Sequence, residues 1–301
     1  MLKKEYKEEK EKLGVRLGLL QRKLKDAKVP VLIVFDGYDA AGKGLQINRL
    51  IQTLDPRGFD VYTGDRDGEE ERMHPFLWQF AIKAPANGRI VIFDTSWYKR
   101  VQMDRFDRRM KEKEVEAAFA DILAFERQLV DGGCALIKLF FHISEKEQKR
   151  RFEKLESSDE TSWRVKKEEW ERNLHYEKYE KINEEMLERT NTPYAPWTII
   201  DATHKDQAAL AVMKTVADAM ESALKAHEGE REPGAYEGPI PPDKYKKGIL
   251  SEADLTKSME REKYEKKLEK LQKKLERLHS ELYRYRIPVV LGFGKAEPSA
   301  G

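Results

Sequence analysis

Apolar positions along this chain fall into two alternating spacings. Short continuous runs rich in β-branched residues occur at Val29–Phe35 (VPVLIVF), Phe59–Thr63 (FDVYT), Arg89–Phe93 (RIVIF), Ala135–Ile143 (ALIKLFFHI) and Trp197–Asp201 (WTIID). Their length and composition predict strands, and Val29–Phe35 reads as a buried parallel one. Across Leu45–Leu54, Glu112–Leu129, Glu145–Lys154, Lys166–Glu188 and Asp206–Leu224, apolar residues instead recur at helical intervals among charges, which predicts amphipathic helices. Strands alternating with helices predict an α/β fold, a three-layer sandwich built on a mainly parallel five-stranded sheet. In such folds ligands bind at the carboxyl ends of the strands.

The end of the first strand carries chemistry. In FDGYDAAGKGLQ (Phe35–Gln46), Gly37, Gly42 and Lys43 match the phosphate-binding pattern G-x-x-x-x-G-K-[ST]. The backbone N–H groups of that pattern cradle phosphates while its lysine reaches the outer ones. Strand, glycine turn and helix aim a helix N-terminus at an anion; the plain alternative is a tight turn that contains a lysine. Gly44 departs from the pattern, because it lacks the hydroxyl that would hold magnesium. Two carboxylates are candidates to supply the missing oxygens: Asp94, leaving an apolar strand, and Asp39, inside the loop. Mg2+ takes oxygen ligands and usually only one or two carboxylates. A cap or turn role is the other reading of Asp94, and an Asx turn that of Asp39.

Phosphoryl transfer needs positioning and positive charge. The candidate cations are Arg100, Arg105, Lys138 and Lys205. A lysine inside an apolar strand, as Lys138 is, is costly unless it is paired or points into a site; snorkelling at a sheet edge is the alternative. The cations of Lys146–Arg151 and Arg164–Lys167 read as solvated helix faces.

Charge narrows the partners. Lys plus Arg number 57 against 55 for Asp plus Glu, so a polyanion must be gripped by locally clustered cations. The single Cys134 excludes a disulfide framework within the chain. No apolar stretch approaches ~18 residues and the start lacks a signal-peptide core, so a soluble cytoplasmic protein with no membrane or nucleic-acid partner is expected.

Several separated motifs carry a family resemblance: FDGYDAAGKG, the Glu70 and Glu71 pair before HPFLWQF, IFDTSWYKR, LIKLFFHISEKEQKRRF, the Trp163 and Trp170 segment, and TPYAPWTIIDATHK. In this order, over about residues 5–225, they make the chain similar to the family-2 polyphosphate kinases. The resemblance implies a P-loop kinase fold and Mg2+-dependent phosphoryl transfer between inorganic polyphosphate and a nucleoside mono- or diphosphate. It implies a loop that also uses Gly after the Lys, with acidic positions on Asp39 and Asp94. It places phosphate-binding cations on Lys43, Arg100, Arg105, Lys138 and Lys205, with Gly37, Gly42 and Gly44 in the loop and Arg100 among the catalytic groups. It also implies a helical lid over about Ser157–Tyr179 and a homo-oligomer.

Four positions depart from the family pattern. Gln79, Thr95, Asn173 and Ala209 stand where arginines are expected, which points to weakened grip on polyphosphate and, as an alternative, to a degenerate assembly half. An ordinary ATP-dependent nucleotide kinase is the third class, disfavoured by Gly44. Shifting the sequence by 258 positions lays Tyr264, Leu271, Leu275, Leu278, Leu282 and Pro288 on Tyr6, Leu13, Leu17, Leu20, Leu24 and Pro30. Such an internal repeat predicts a first domain over 1–226, a Pro- and Gly-rich connector over 227–258, and the opening helix and strand of a second repeat over 259–301. For such a tandem member, cut near the start of its second half, the family resemblance implies conversion of AMP to ADP.

Overall fold

The structure is a computed structural model that describes residues 3–64, 68–228 and 258–292. Five strands, β1 (Val31–Gly37), β2 (Phe59–Thr63), β3 (Ile90–Asp94), β4 (Ala135–His142) and β5 (Trp197–Asp201), form one sheet in the order β2-β3-β1-β4-β5. Every pairing is parallel. All five expected strands are present, each within two residues of the apolar run that predicts it.

The helices are α1 (Lys3–Asp26), α2 (Lys43–Ile51), α3 (Glu69–Met73), α4 (Trp78–Ala81), α5 (Met103–Phe106), α6 (Val115–Asp131), α7 (Glu145–Glu156), α8 (Asp159–Ser162), α9 (Lys167–Leu174), α10 (Tyr176–Thr190), α11 (Lys205–Glu228) and α12 (Arg261–Tyr285). One layer, α1, α2 and α11, packs on one face of the sheet, and α6 with α10 on the other. Parallel strands are covered on both faces, and β1 is buried along its whole length. The helix expected over Lys166–Glu188 is broken at His175, whose backbone (φ −112°, ψ 42°) leaves the helical region and separates α9 from α10.

Register places the chemistry. Asp94 pairs with Phe35 at the carboxyl end of β3, so the loop after β1 and the end of β3 lie side by side. Lys138 pairs with Val34 in mid-strand, well inside the sheet.

The chain divides into two compact units, Met1–Glu232 and Pro233–Gly301. In the second unit α12 is a regular helix whose leucines are exposed apart from the half-buried Leu282, and Ile287–Gly292 has no strand pairing. An extended segment needs neighbouring strands to satisfy its backbone, and none is present there among the described residues. Residues 229–257 of the connector, and Phe293 onward, lie outside the described residues.

Candidate active site

The loop between β1 and α2 has a shape only certain residues permit. Gly37 has φ 123°, and a side chain there would meet the Phe141 carbonyl oxygen at 2.3 Å. Tyr38 donates its N–H to that carbonyl (3.0 Å), so β4 fixes the start of the loop. Gly42, at φ 93°, stands before α2 and no side chain caps the helix. The first N–H groups of an α-helix have no partner within it, and an uncapped N-terminus is an anion site.

Lys43, the first residue of α2, donates to the carbonyls of Gly37 (3.2 Å) and Tyr38 (3.1 Å). Beside it lie two carboxylates. Asp94 is half-buried, and its Oδ2 sits 3.6 Å from where a Cβ on Gly44 would stand. The oxygen of Asp94 therefore lies beside the position from which the usual loop hydroxyl would project. Burial raises its pKa, against the pull of Lys43. Asp36, at the end of β1, accepts a hydrogen bond from Ser96 Oγ (2.6 Å). Burial pushes Asp36 up to about 6, opposed by the Ser96 hydrogen bonds and the Lys43 charge.

A cavity of about 1050 Å3 opens in front of the loop. On the loop side it is lined by Asp39, Gly42, Lys43, Gly44, Asp94 and Lys205. From α7 and the lid come Arg150, Arg151, Lys154, Arg164 and Glu169. Lysines and arginines outnumber the carboxylates of Asp39, Asp94 and Glu169, so the cavity suits an anion of several charges. Burial and the Asp39 charge hold the Glu169 carboxyl at about 7.

Arg151 is a brace for the loop. Its guanidinium donates to Ala40 O and Ala41 O (both 3.0 Å), to Ala202 O (2.7 Å) and to Glu147 (2.7 Å). The loop is thereby tied to α7 and to the end of β5. The expectation of a solvated face over Lys146–Arg151 and Arg164–Lys167 thus fails for Arg151, while Arg150 and Arg164 are exposed residues that border the cavity. Because α7 starts at the carboxyl end of β4, one of its faces meets the loop. The signal available in the sequence was the helix start at Ser144, whose side chain caps α7, directly after a strand.

Of the expected site residues, Gly42, Lys43, Gly44, Asp39, Asp94 and Lys205 surround the cavity and Gly37 shapes its loop. Three expected cations lie elsewhere. Arg100 pairs with Glu114 (3.7 Å). Arg105 is bonded to Glu185 (2.7 Å) and Glu112 (2.6 Å). Lys138 is fully buried on the β4 face that meets α6, where it donates to Glu126 (2.9 Å), Thr190 O (2.7 Å) and the Tyr98 hydroxyl (3.1 Å). A mid-strand side chain sandwiched by a helix cannot reach a ligand at the strand end. The four departures also fall outside the cavity lining: Ala209 is core, and Asn173 is buried against Gln148. Among the residues that sequence reasoning missed are Asp36, Arg151, Glu169 and Arg172.

Sequence and structure comparisons give the family. The family model for Polyphosphate kinase 2 (PPK2) matches residues 1–228. The chain belongs to the polyphosphate kinase 2 family. It is 30% identical over 264 residues to a polyphosphate:AMP phosphotransferase of Pseudomonas aeruginosa, covering 86% of this chain and 53% of that protein. It is 31% identical to a GDP-polyphosphate phosphotransferase of Mycolicibacterium smegmatis, covering 77% of this chain and 83% of that one. A polyphosphate kinase 2 crystal structure from Pseudomonas aeruginosa superposes with a TM-score of 0.72 at 34% identity, covering 75% of this chain and 49% of that one. The chain spans about half the length of the polyphosphate:AMP phosphotransferases it matches. Within this PPK2 fold no helix of the described residues is long and apolar enough to cross a membrane.

Proposed function

We propose that this chain transfers a phosphoryl group between inorganic polyphosphate and a nucleoside phosphate, with AMP as the acceptor and Mg2+ as the cofactor. The observation that carries the reading is the uncapped α2 N-terminus with Lys43, opening into a cavity lined by Arg150, Arg151, Lys154, Arg164 and Lys205. The cations of such a cavity neutralise the oxygens of a phosphate chain, while the loop N–H groups hold the phosphate nearest the reaction. Lys43 leaves its carbonyl partners on Gly37 and Tyr38 to bond that phosphate. AMP is chosen because three of the relatives matched are named for it.

The residues fit a magnesium ion. Asp94 supplies a hard oxygen beside Gly44, and Asp39 a second across the loop. Mg2+ usually keeps several waters and is held by one or two carboxylates together with phosphate oxygens. When bound, the ion supplies charge neutralisation at the transferring phosphoryl group.

The test is turnover of AMP or ADP with polyphosphate and Mg2+, followed by chromatography, with Lys43→Ala and Asp94→Asn as controls. Product formation abolished by both substitutions supports the reading. A folded chain without turnover on either nucleotide sinks it.

A further inference from the structure

The lid and the phosphate loop meet at one guanidinium. Arg172, on α9, is buried, and its Nε donates to Asp39 Oδ2 at 2.8 Å. Its NH1 contacts both carboxylate oxygens of Asp107, at the end of α5, each at 3.0 Å. The guanidinium lies 5.9 Å from the centre of the Tyr179 ring on α10. Burial alone would lower its pKa, but the charges of Asp39 and Asp107 hold it above the usual value.

The next residue reinforces the link by another route. Asn173 Nδ2 donates to Gln148 Oε1 (2.9 Å) and to Glu145 O (3.1 Å). Gln148 Nε2 in turn donates to the backbone carbonyl of Asp39 (3.1 Å). The end of α9 therefore holds Asp39 twice, by its carboxylate and by its carbonyl. A charge-assisted bond to a buried carboxylate is the stronger of the two.

We propose that Arg172 is a positioning residue for transfer: it sets the Asp39 carboxylate and couples lid placement to the shape of the phosphate loop. A loop carboxylate beside an arriving polyanion would otherwise repel it and turn away. Joined to Arg172 its charge is partly offset, and the orientation of its carboxylate becomes a property of the closed lid. Asp107 holds the far side of the guanidinium, so that Arg172 cannot swing to the substrate as a simple phosphate ligand. The role in transfer rests on the phosphotransferase reading above; the coupling of lid to loop does not.

Two measurements on the full chain separate these. Hydrogen exchange without substrate compares Arg172→Gln with the unsubstituted protein. The expected result is faster exchange in α9 and, together with it, at the loop amide of Ala41, by about tenfold or more, with sheet amides unchanged. Faster exchange confined to α9 overturns the coupling, as does no change in either. Where Arg172→Gln fails to fold, Arg172→Gln with Asp107→Asn removes the stranded carboxylate and the same comparison applies.

In turnover, Arg172→Gln is expected to lower kcat by about tenfold or more while KM for polyphosphate moves less than about twofold, and Arg172→Lys to restore part of kcat. A raised KM with unchanged kcat makes Arg172 a substrate ligand and overturns the positioning role. If the unsubstituted chain shows no turnover, the phosphotransferase reading and the role in transfer fall together, and exchange still decides the coupling.

Discussion

Lys43 and Lys138 both stand beside apolar strand sequence, and the structure puts them to opposite uses. Lys43 follows the end of β1, touches only carbonyl oxygens and faces a cavity. Lys138 sits mid-strand between α6 and the sheet, paired with Glu126 and covered by Tyr98 and Trp197, whose rings lie 5.6 and 5.0 Å from its Nζ. Burial lowers the pKa of Lys138 and raises that of Glu126, and each charge holds back the other's shift. Position along the strand decides the difference: only the carboxyl end of a parallel sheet is open to a ligand, whereas an interior charge must bring its partner with it.

The strongest way to break this comparison is Lys138→Ala. It strands the Glu126 carboxylate in the interior and is expected to cost about 3 to 5 kcal/mol, measured by urea unfolding. Lys138→Met with Glu126→Leu removes both charges and should recover most of that loss. Equal destabilisation by the single and double changes would show that the pair does not act as a unit.

Lys43→Ala should show the reverse profile. Turnover is expected to fall by about a hundredfold or more, equivalent to about 3 kcal/mol of transition-state stabilisation. Its unfolding midpoint should shift far less than that of Lys138→Ala, because what is lost is two long hydrogen bonds to main-chain carbonyls and not the partner of a buried charge. A large stability loss with turnover retained would place Lys43 with Lys138 as a structural cation.

A smaller effect probes the brace of the loop. Arg151→Ala cuts the loop from β5 and α7, and should lower turnover by about tenfold through misplacement of the loop, with about 1 to 2 kcal/mol of stability lost. The read-outs are steady-state kinetics and thermal melting.

The smallest effect is set by pH. Glu169 moves from 4.5 to about 7 in the folded protein. The folded state therefore binds this proton more tightly, so its contribution to stability is full below 4.5 and is lost as pH rises toward 7. Solvent near the cavity limits the effect to below about 1 kcal/mol. Glu169→Gln should flatten that part of a melting profile; an unchanged profile would mean that Glu169 titrates normally.

The fold was legible because its signals are local. Short apolar, β-branched runs bounded by turn residues read as strands, although the edge strands β2 and β5 are only partly buried, and strand–helix alternation admits few topologies. The loop was legible too, since Gly37 and Gly42 are demanded by backbone conformation. Half the site was not. Arg151 and Arg172 sit among charges that look like any solvated helix, and only α7 and α9 packing on the loop reveals them. Lys138 failed in the other direction, because a sequence does not show that Glu126, on another element, will neutralise it.

Helices α1 and α12 draw the same line. They share one leucine spacing, yet Leu13 and Leu17 are 7% and 0% exposed while Leu271 and Leu275 are 48% and 64% exposed. The first stripe meets α11; no described residue covers the second. We hold to the proposal that α12 opens a second repeat, on the strength of that shared spacing. By itself the sequence determined the five strands, the long amphipathic helices, a mainly parallel sheet and the glycine-bearing turn after β1, because each follows from backbone conformation and periodicity within a short segment. Only the tertiary structure decided which cations face the cavity, which carboxylate lies beside Gly44 and which charge is sealed inside. Those outcomes depend on partners brought together from segments far apart in the chain.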